Sequence, residues 1–325
     1  MEIQSIFETF KSKKIIVLGD VMLDSYMLGT VSRISPEAPV PIVSLSQEDE
    51  RLGGAANVAL NLISLGAQAI ICSVIGKDKD GKQLLELFKK NDISAEGIIE
   101  SEERKTTVKT RIIGNNQQLL RIDSEQTNDI SIAEEDLLFA KIEKLILSGI
   151  DGLIFEDYNK GILSASLINK VIACCKQNNV ITTVDPKKKN FFSYQGVTLF
   201  KPNLKELREG LDMQFSIKDF PLFKNAVSIL REKLEHQITL ITLSENGVYI
   251  ENEQEHYHVQ AHVRNIADVS GAGDTVISVA TLCLCTGLSI SEIAKISNLA
   301  GGLVCEKSGV VSIDKNELME EMKKL

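Results

Sequence analysis

No stretch of this sequence is apolar for long enough to cross a bilayer. The most apolar run, Thr275 to Cys285, falls well short of the roughly 20 residues that a helical span requires. Met1 to Lys14 mixes polar and apolar residues and lacks an uninterrupted apolar core ending in a small-residue cleavage site, so it does not read as a secretory leader. The six cysteines, Cys72, Cys174, Cys175, Cys283, Cys285 and Cys305, contain no Cys-x-x-Cys pair and no disulfide-like spacing, so they read as core thiols. Basic runs are missing too. Lys+Arg 36 against Asp+Glu 45 leaves a net charge of −9, with the cations scattered, which argues against a nucleic-acid partner. The segment after the first apolar run, Gly19 to Asp24, holds no Gly-x-Gly-x-x-Gly, so a dinucleotide oxidoreductase is disfavoured. Repeats, low-complexity tracts and long linkers are absent, and one domain over 1–325 is expected. These absences together point to a cytoplasmic protein without membrane or nucleic-acid partners.

What is present is a chain of 325 residues, 43% hydrophobic and 25% charged, ample for a large α/β core. Lys14 to Leu18 reads as a buried first strand ending in Gly-Asp. Apolar strands then alternate with helical patterns at Ala69–Ile75, Asp80–Lys90, Glu134–Leu147, Gly152–Phe155, Ser164–Gln177 and Ile181–Val184. That order is the signature of a mostly parallel sheet covered by helices on both faces. Helices near Gly271, Ser289 and Asp314 finish the chain. Two stretches differ, alternating strictly as half-exposed strands do: about 36–53, and 105–123 with a turn at Gly114-Asn115-Asn116. They are expected to form a small β-sheet lid. His256, His258 and His262 share parity and would lie on one side of a continuous strand, a polar face lacking a completed ligand set.

Ligands in open α/β sheets bind beyond the carboxyl ends of the strands, where Asp20, Glu156-Asp157, Asp185 and Asn203 end apolar runs. Each alone also suits a turn or a helix cap. The strongest local signal is Asp268-Val269-Ser270-Gly271-Ala272-Gly273-Asp274-Thr275, leading into an apolar helix. Small residues there let backbone N–H groups meet an anion, aided by the helix dipole, so Gly271, Ala272 and Gly273 make a phosphate seat. A carboxylate in the same turn repels phosphate unless it faces another reactant. Asp274 therefore suits a base taking a proton from an attacking hydroxyl, the bland alternative being an Asp that merely favours the dipole.

Here the chain resembles the ribokinase-like (PfkB) family of carbohydrate kinases, whose late signature has the form D-T-x-G-A-G-D. The early family signature is matched by Gly53-Gly54-Ala55-Ala56-Asn57, and the N-x-x-E segment by Asn203 to Glu206. The resemblance implies a ribokinase-like α/β fold, ATP and Mg²⁺ as cofactors, and Asn203 and Glu206 near metal-bound phosphates. Thr242, Ser244, Gly247, Gly273 and Asn298 are then expected at the nucleotide. A monovalent cation, K⁺, is expected beside Asp268, Ser270 and Gly309.

Within that family the chain is similar to the branch acting on D-glycero-D-manno-heptose 7-phosphate. The likeness lies in Gly19 to Asp24, in Ser32-Arg33-Ile34-Ser35-Pro36-Glu37-Ala38-Pro39-Val40-Pro41, and in Asn116 to Asp123. That branch implies phosphorylation of O1 of a sugar phosphate by ATP. The two-part enzymes of the branch carry a nucleotidyltransferase domain with an H-x-G-H motif, which this sequence lacks, so only the kinase step is expected. Asp20, Asp24, Asn57 and Asp185 are short polar side chains suited to sugar hydroxyls, with Gly53 and Gly54 beside them. Positive charge for the substrate's own phosphate is sought in Arg33, Lys109, Arg111 and Lys187. An exposed lid sheet favours a homodimer. Open alternatives are a ribokinase-like kinase for another sugar and a non-catalytic sugar-phosphate sensor.

Overall fold

The computed structural model describes residues 3–262 and 265–324. The strands, in chain order, are β1 (Lys14–Gly19), β2 (Val21–Ile34), β3 (Pro41–Gly54), β4 (Gln68–Gly76), β5 (Ser94–Ser101), β6 (Val108–Gly114) and β7 (Gln117–Ser124). There follow β8 (Gly152–Glu156), β9 (Ile181–Asp185), β10 (Leu199–Phe200), β11 (Ile238–Thr242), β12 (Val248–Glu251) and β13 (His256–Val259). Nine of them form one sheet in the order β13-β12-β11-β10-β9-β8-β1-β4-β5. It is parallel from β5 to β11 and antiparallel at its β12 and β13 edge.

Period-two alternation splits the core. Ile15 and Val17 of β1 face one side, packed on helices Ala55–Ser64, Ala272–Cys285 and Ile290–Cys305; Ile16 and Leu18 face helices Ile132–Leu147, Ala165–Gln177 and Phe220–Leu234 on the other. Both faces are covered, which is why these strands read as continuous apolar runs. From β1 the order runs through β4 to β5 on one side and through β8 and β9 toward β11 on the other. The β1/β8 junction is a topological switch point, where the crevice beyond the strand ends is open to a ligand.

The second sheet has the order β3-β2-β6-β7. The expected lid segments fall on β3 and on β6 with β7. At the hairpin tip Asn115 and Asn116 take φ of 51° and 64°, the paired left-handed geometry that suits the twist of a two-residue turn. β2 joins the expected lid segments: its first residues Val21, Met22 and Leu23 are buried while its far half is largely exposed. No single periodicity runs through such a strand. Asp20 alone separates β1 from β2, so it is the joint between sheet and lid. The histidine row also breaks: β13 ends at Val259, leaving His262 outside it, while His258 is bonded to the Asn246 carbonyl at 2.8 Å. Cys72, Cys174, Cys175 and Cys283 are buried and all six cysteines are free thiols.

Candidate active site

Helix Ala272–Cys285 starts at the switch point. Its N-cap, Gly271, has φ of 80°, and a Cβ there would stand 3.0 Å from Asn57 Nδ2, so both backbone angle and space call for glycine. The turn delivers Asp274 into a buried position, where Asn57 Nδ2 donates to Oδ2 at 2.6 Å and Tyr158 Oη donates to Oδ1 at 2.9 Å. Burial raises the Asp274 carboxyl to about 6; the Asn57 bond opposes the rise and the Asp185 charge adds to it. Burial and then the Asp274 charge push the Tyr158 phenol far up, so it remains a donor. Asn57 itself comes from the first turn of helix Ala55–Ser64, and its buried Oδ1 has no partner among the described residues, an acceptor left for a hydroxyl.

Around Asp274 lies a charged cluster. Glu156 ends β8 and Asp185 ends β9; with Asp274 each offers an oxygen within 4.8 Å of the others, and all three are buried. Lys201 Nζ stands 2.7 Å from Asp185 Oδ2, and Lys187 Nζ reaches Asp185 Oδ1 at 3.8 Å and also bonds Glu206. Burial alone would raise the Asp185 carboxyl, but the Lys201 and Lys187 ammoniums hold it below its ordinary value. Burial, then the Asp185 and Asp274 charges, lift Glu156 well above its own. Both Glu156 oxygens and Asp185 Oδ1 lack hydrogen-bond partners among the described residues. Two ammoniums thus serve four carboxylates, Glu206 included, and free hard oxygens face one another. That donor set fits a Mg²⁺-like cation.

A cavity of about 1030 Å³ opens on the same helix start, lined by Asn203, Thr242, Ser244, Gly247, Gly273 and Asn298 among others. Its size suits a nucleotide-sized ligand. Asn203 and Glu206 cap helix Leu204–Leu211 reciprocally, Glu206 Oε2 accepting from Asn203 N and Asn203 Oδ1 from Glu206 N, each at 2.8 Å. Asn298 Nδ2 is occupied by the Gln260 carbonyl at 2.8 Å. Asp268 accepts from the backbone N–H of Ser270 at 2.9 Å and of Gly309 at 3.1 Å, bringing together the three residues expected at a monovalent cation.

Several expected substrate residues take other places. Asp20 is 1% exposed, and its carboxylate accepts from the backbone N–H groups of Tyr158, Lys160 and Ile162; it fixes that loop rather than offering oxygen to a sugar. Lys187 is drawn into the carboxylate cluster, where Asp185 and Glu206 hold its charge despite burial, and so does not extend toward a distal phosphate. Arg33 lies exposed near the far end of β2, nine residues beyond Asp24, roughly 30 Å at the rise of an extended strand. Within one chain it cannot reach the crevice. Asp24 is buried and paired with Arg111 at 2.5 Å, and Gly53 is needed beside it because a Cβ would stand 2.3 Å from Asp24 Oδ2. Gly54, with φ of 61°, turns the chain from β3 into helix Ala55–Ser64. Lys109 and Arg111 share the lid face that carries Asp24 and Tyr26. Tyr158 and Lys201 were not recognised in the sequence, although Lys201 ends the apolar pair Leu199-Phe200 and Tyr158 follows the strand-end acids.

An anion seat at a glycine-rich helix start, a partly protonatable carboxylate inside it and a nucleotide-sized cavity in front define the ribokinase-like class of phosphotransferases. The chain belongs to the pfkB family of carbohydrate kinases, whose model matches residues 12–316. It is 39% identical over 308 residues to the bifunctional protein HldE of Sulfurimonas denitrificans, covering 94% of this chain and 64% of that one. It is 37% identical over 322 residues to HldE of Geotalea uraniireducens, covering 99% and 65%. The chain therefore spans just under two thirds of the length of these curated relatives. In fold it is similar to the tetrameric inhibited form of phosphofructokinase-2 from Escherichia coli, with a TM-score of 0.78 and 16% identity over 96% of this chain and 99% of that one. The Arabidopsis thaliana ribokinase complexed with ribose and ATP gives a TM-score of 0.73 at 16% identity with the same coverage. Among the described residues no helix is long and apolar enough to cross a membrane.

Proposed function

We propose that this chain is a kinase transferring the γ-phosphoryl of ATP to O1 of D-glycero-D-manno-heptose 7-phosphate. The product is the 1,7-bisphosphate, on the route to ADP-heptose and the lipopolysaccharide core. The observation that carries the chemistry is Asp274, buried, oriented by Asn57 and Tyr158, and set in the first turn of the glycine-rich helix. The choice of sugar rests on the Ser32 to Pro41 stretch and on the identity to proteins named HldE.

Asp274 accepts the O1 proton as the new O–P bond forms and the bond to the β-phosphate oxygen breaks, ADP leaving with the electron pair. First-turn N–H groups around Ala272 to Asp274, and the Lys201 ammonium, hold the charge on the transferred group; the closeness of Lys201 Nζ, 3.6 Å from where a Gly273 Cβ would stand, supports that role. Asp24 and Asn57 bind sugar hydroxyls, and Lys109 and Arg111 face the sugar's phosphate from the lid. Thr242, Ser244, Gly247 and Asn298 line the nucleotide pocket. Glu156 and Asp185 would hold Mg²⁺, with Glu206 bonded to Lys187 nearby; that ion supplies neutralisation of the ATP phosphates. Asp268 with the backbone at Ser270 and Gly309 would hold K⁺. The protein acts in the cytoplasm as a homodimer joined through the lid, and adenylylation of the product falls to another catalytic unit.

A coupled ATPase assay with heptose 7-phosphate, unphosphorylated heptose, fructose 6-phosphate and ribose tests the substrate. Heptose 7-phosphate should give the highest kcat/KM. Equal use of ribose would sink the reading.

A further inference from the structure

On the inner face of the lid two rows of residues lie side by side. One runs Arg51, Asp24, Lys109, Asp123; the next runs Asp49, Tyr26, Arg111, Arg121. Each carboxylate there has an arginine: Asp49 with Arg51 at 2.7 Å, Asp24 with Arg111 at 2.5 Å, Asp123 with Arg121 at 2.9 Å. Lys109 is the surplus cation. It is half-buried, and its ammonium has no ion-pair or hydrogen-bond partner among the described residues.

Lys160 meets it in the same corner. Its Nζ bonds Glu125 at 2.7 Å, one residue past the end of β7 and two from Asp123, which stands opposite Lys109. The loop beneath holds Lys160 at both backbone groups: its N–H donates to buried Asp20 at 3.1 Å, and its carbonyl accepts from buried Arg104 at 2.5 Å. Two buried charges thus fix the backbone of one part-buried lysine, which makes a built position. Burial and then the nearby Lys160 charge press Lys109 toward its neutral form, against the pull of Asp123, Glu125 and Asp24, a strain that an incoming anion relieves.

We propose that Lys109 and Lys160 together seat the phosphate that the sugar already carries, making Lys160 a specificity-determining residue for phosphorylated substrates. This rests on the sugar-phosphate kinase reading above. The two lysines act as point charges beside a dianion, Lys160 held by Glu125 and Arg111 by Asp24 on either side. The same loop carries Tyr158, whose hydroxyl orients Asp274. Two residues of backbone span at most about 7 Å, so the phosphate seat and the base contact are anchored to one short segment, as a sugar with its reacting and phosphorylated ends apart requires.

The test measures the ratio of kcat/KM for a phosphorylated sugar over its unphosphorylated counterpart, using whichever phosphorylated sugar the wild type uses best. Lys160→Gln and Lys109→Gln should each lower that ratio roughly 10- to 100-fold, the worth of a hydrogen bond to a charged group. Lys160→Arg should retain most of it, and Lys77→Gln, at a surface pair with Glu102, should leave it unchanged. Calorimetric titration of the phosphorylated sugar without ATP should weaken in parallel, with melting temperatures near wild type certifying the fold. A ratio that survives both glutamine variants overturns the seat, as does a wild type indifferent to the phosphate. A wild type that prefers fructose 6-phosphate overturns the heptose assignment alone, and the seat is then read on that sugar.

Discussion

Lys201 Nζ lies 2.7 Å from Asp185 Oδ2 with only 2% and 7% of the two side chains exposed, directly beside the glycine-rich helix start. Removing one partner of a buried pair leaves an uncompensated charge, costing about 3–5 kcal/mol. Lys187, 3.8 Å from the other Asp185 oxygen, offsets part of this. Lys201→Met should therefore destabilise by about 3 kcal/mol in urea unfolding. Adding Asp185→Leu should restore stability but not turnover, because the loss of a preorganised cation costs kcat about 10²–10³-fold. A single variant that unfolds with the wild type would remove the pair from the account.

The Asp274 carboxyl, raised to about 6 by burial, predicts the acid limb of the rate profile. The base must be ionised, so kcat should fall tenfold per pH unit below about pH 6. The hydrogen bond from Tyr158 lowers this value; Tyr158→Phe should move the limb to higher pH while leaving nucleotide affinity in place. Asp274→Asn should lower kcat by about 10²–10⁴ with sugar and ATP still bound in calorimetry. Near-wild-type turnover in the asparagine variant would end the assignment.

The sheet and the phosphate seat were legible because strands buried on both faces carry continuous apolar runs and a glycine-rich helix start leaves its own mark. Asn57 bonds Asp274, whose carboxylate lies beside Asp185, although the three residues come from distant parts of the chain. What the chain order hides is which side chain spends its charge on the backbone. Asp20 follows β1 much as Glu156 ends β8, yet three N–H groups of one loop claim the first carboxylate while no described residue hydrogen-bonds the second. Arg33 shows the other limit: the stretch that marks the branch lies at the lid's tip, and length along an extended strand, invisible in a motif, removes it from the crevice. Tyr158 follows from neither spacing nor periodicity, since its partner Asp274 is 116 residues away.

His236 is 4% exposed, bonded through Nε2 to Thr239 Oγ1 at 2.6 Å, with Nδ1 unpartnered among the described residues. Burial, helped by the Arg231 charge, pushes its pKa down to about 3 from 6.5. The unfolded chain then binds a proton that the folded chain refuses between those values, so stability rises with pH across the window and falls as pH drops below 6.5. The full shift corresponds to at most roughly 4–5 kcal/mol. His236→Gln should flatten urea unfolding free energies between pH 6.5 and 4 relative to wild type, whatever it costs at neutral pH. An unchanged pH slope would show that the imidazole charges without unfolding.

The outer face of the lid carries an apolar patch on β6 and β7, with Glu48 and Glu50 of β3 farther across the same face. Leu120 stands opposite Ile112, and Ile122 opposite Thr110; Leu45, Leu120 and Ile122 are each at least half exposed, and β7 and β3 are open edges. Half-exposed leucine and isoleucine beside unpaired strand edges invite pairing with another sheet, and a second copy presents the matching surface. A two-fold arrangement makes each substitution count twice, once per copy. Leu120→Asp with Ile122→Asp should therefore convert a dimer to a monomer in light scattering at micromolar concentration. The helices and the large sheet should keep their far-ultraviolet signature, because neither side chain enters the core. A wild type that is monomeric at every concentration tested would show that these residues meet water alone.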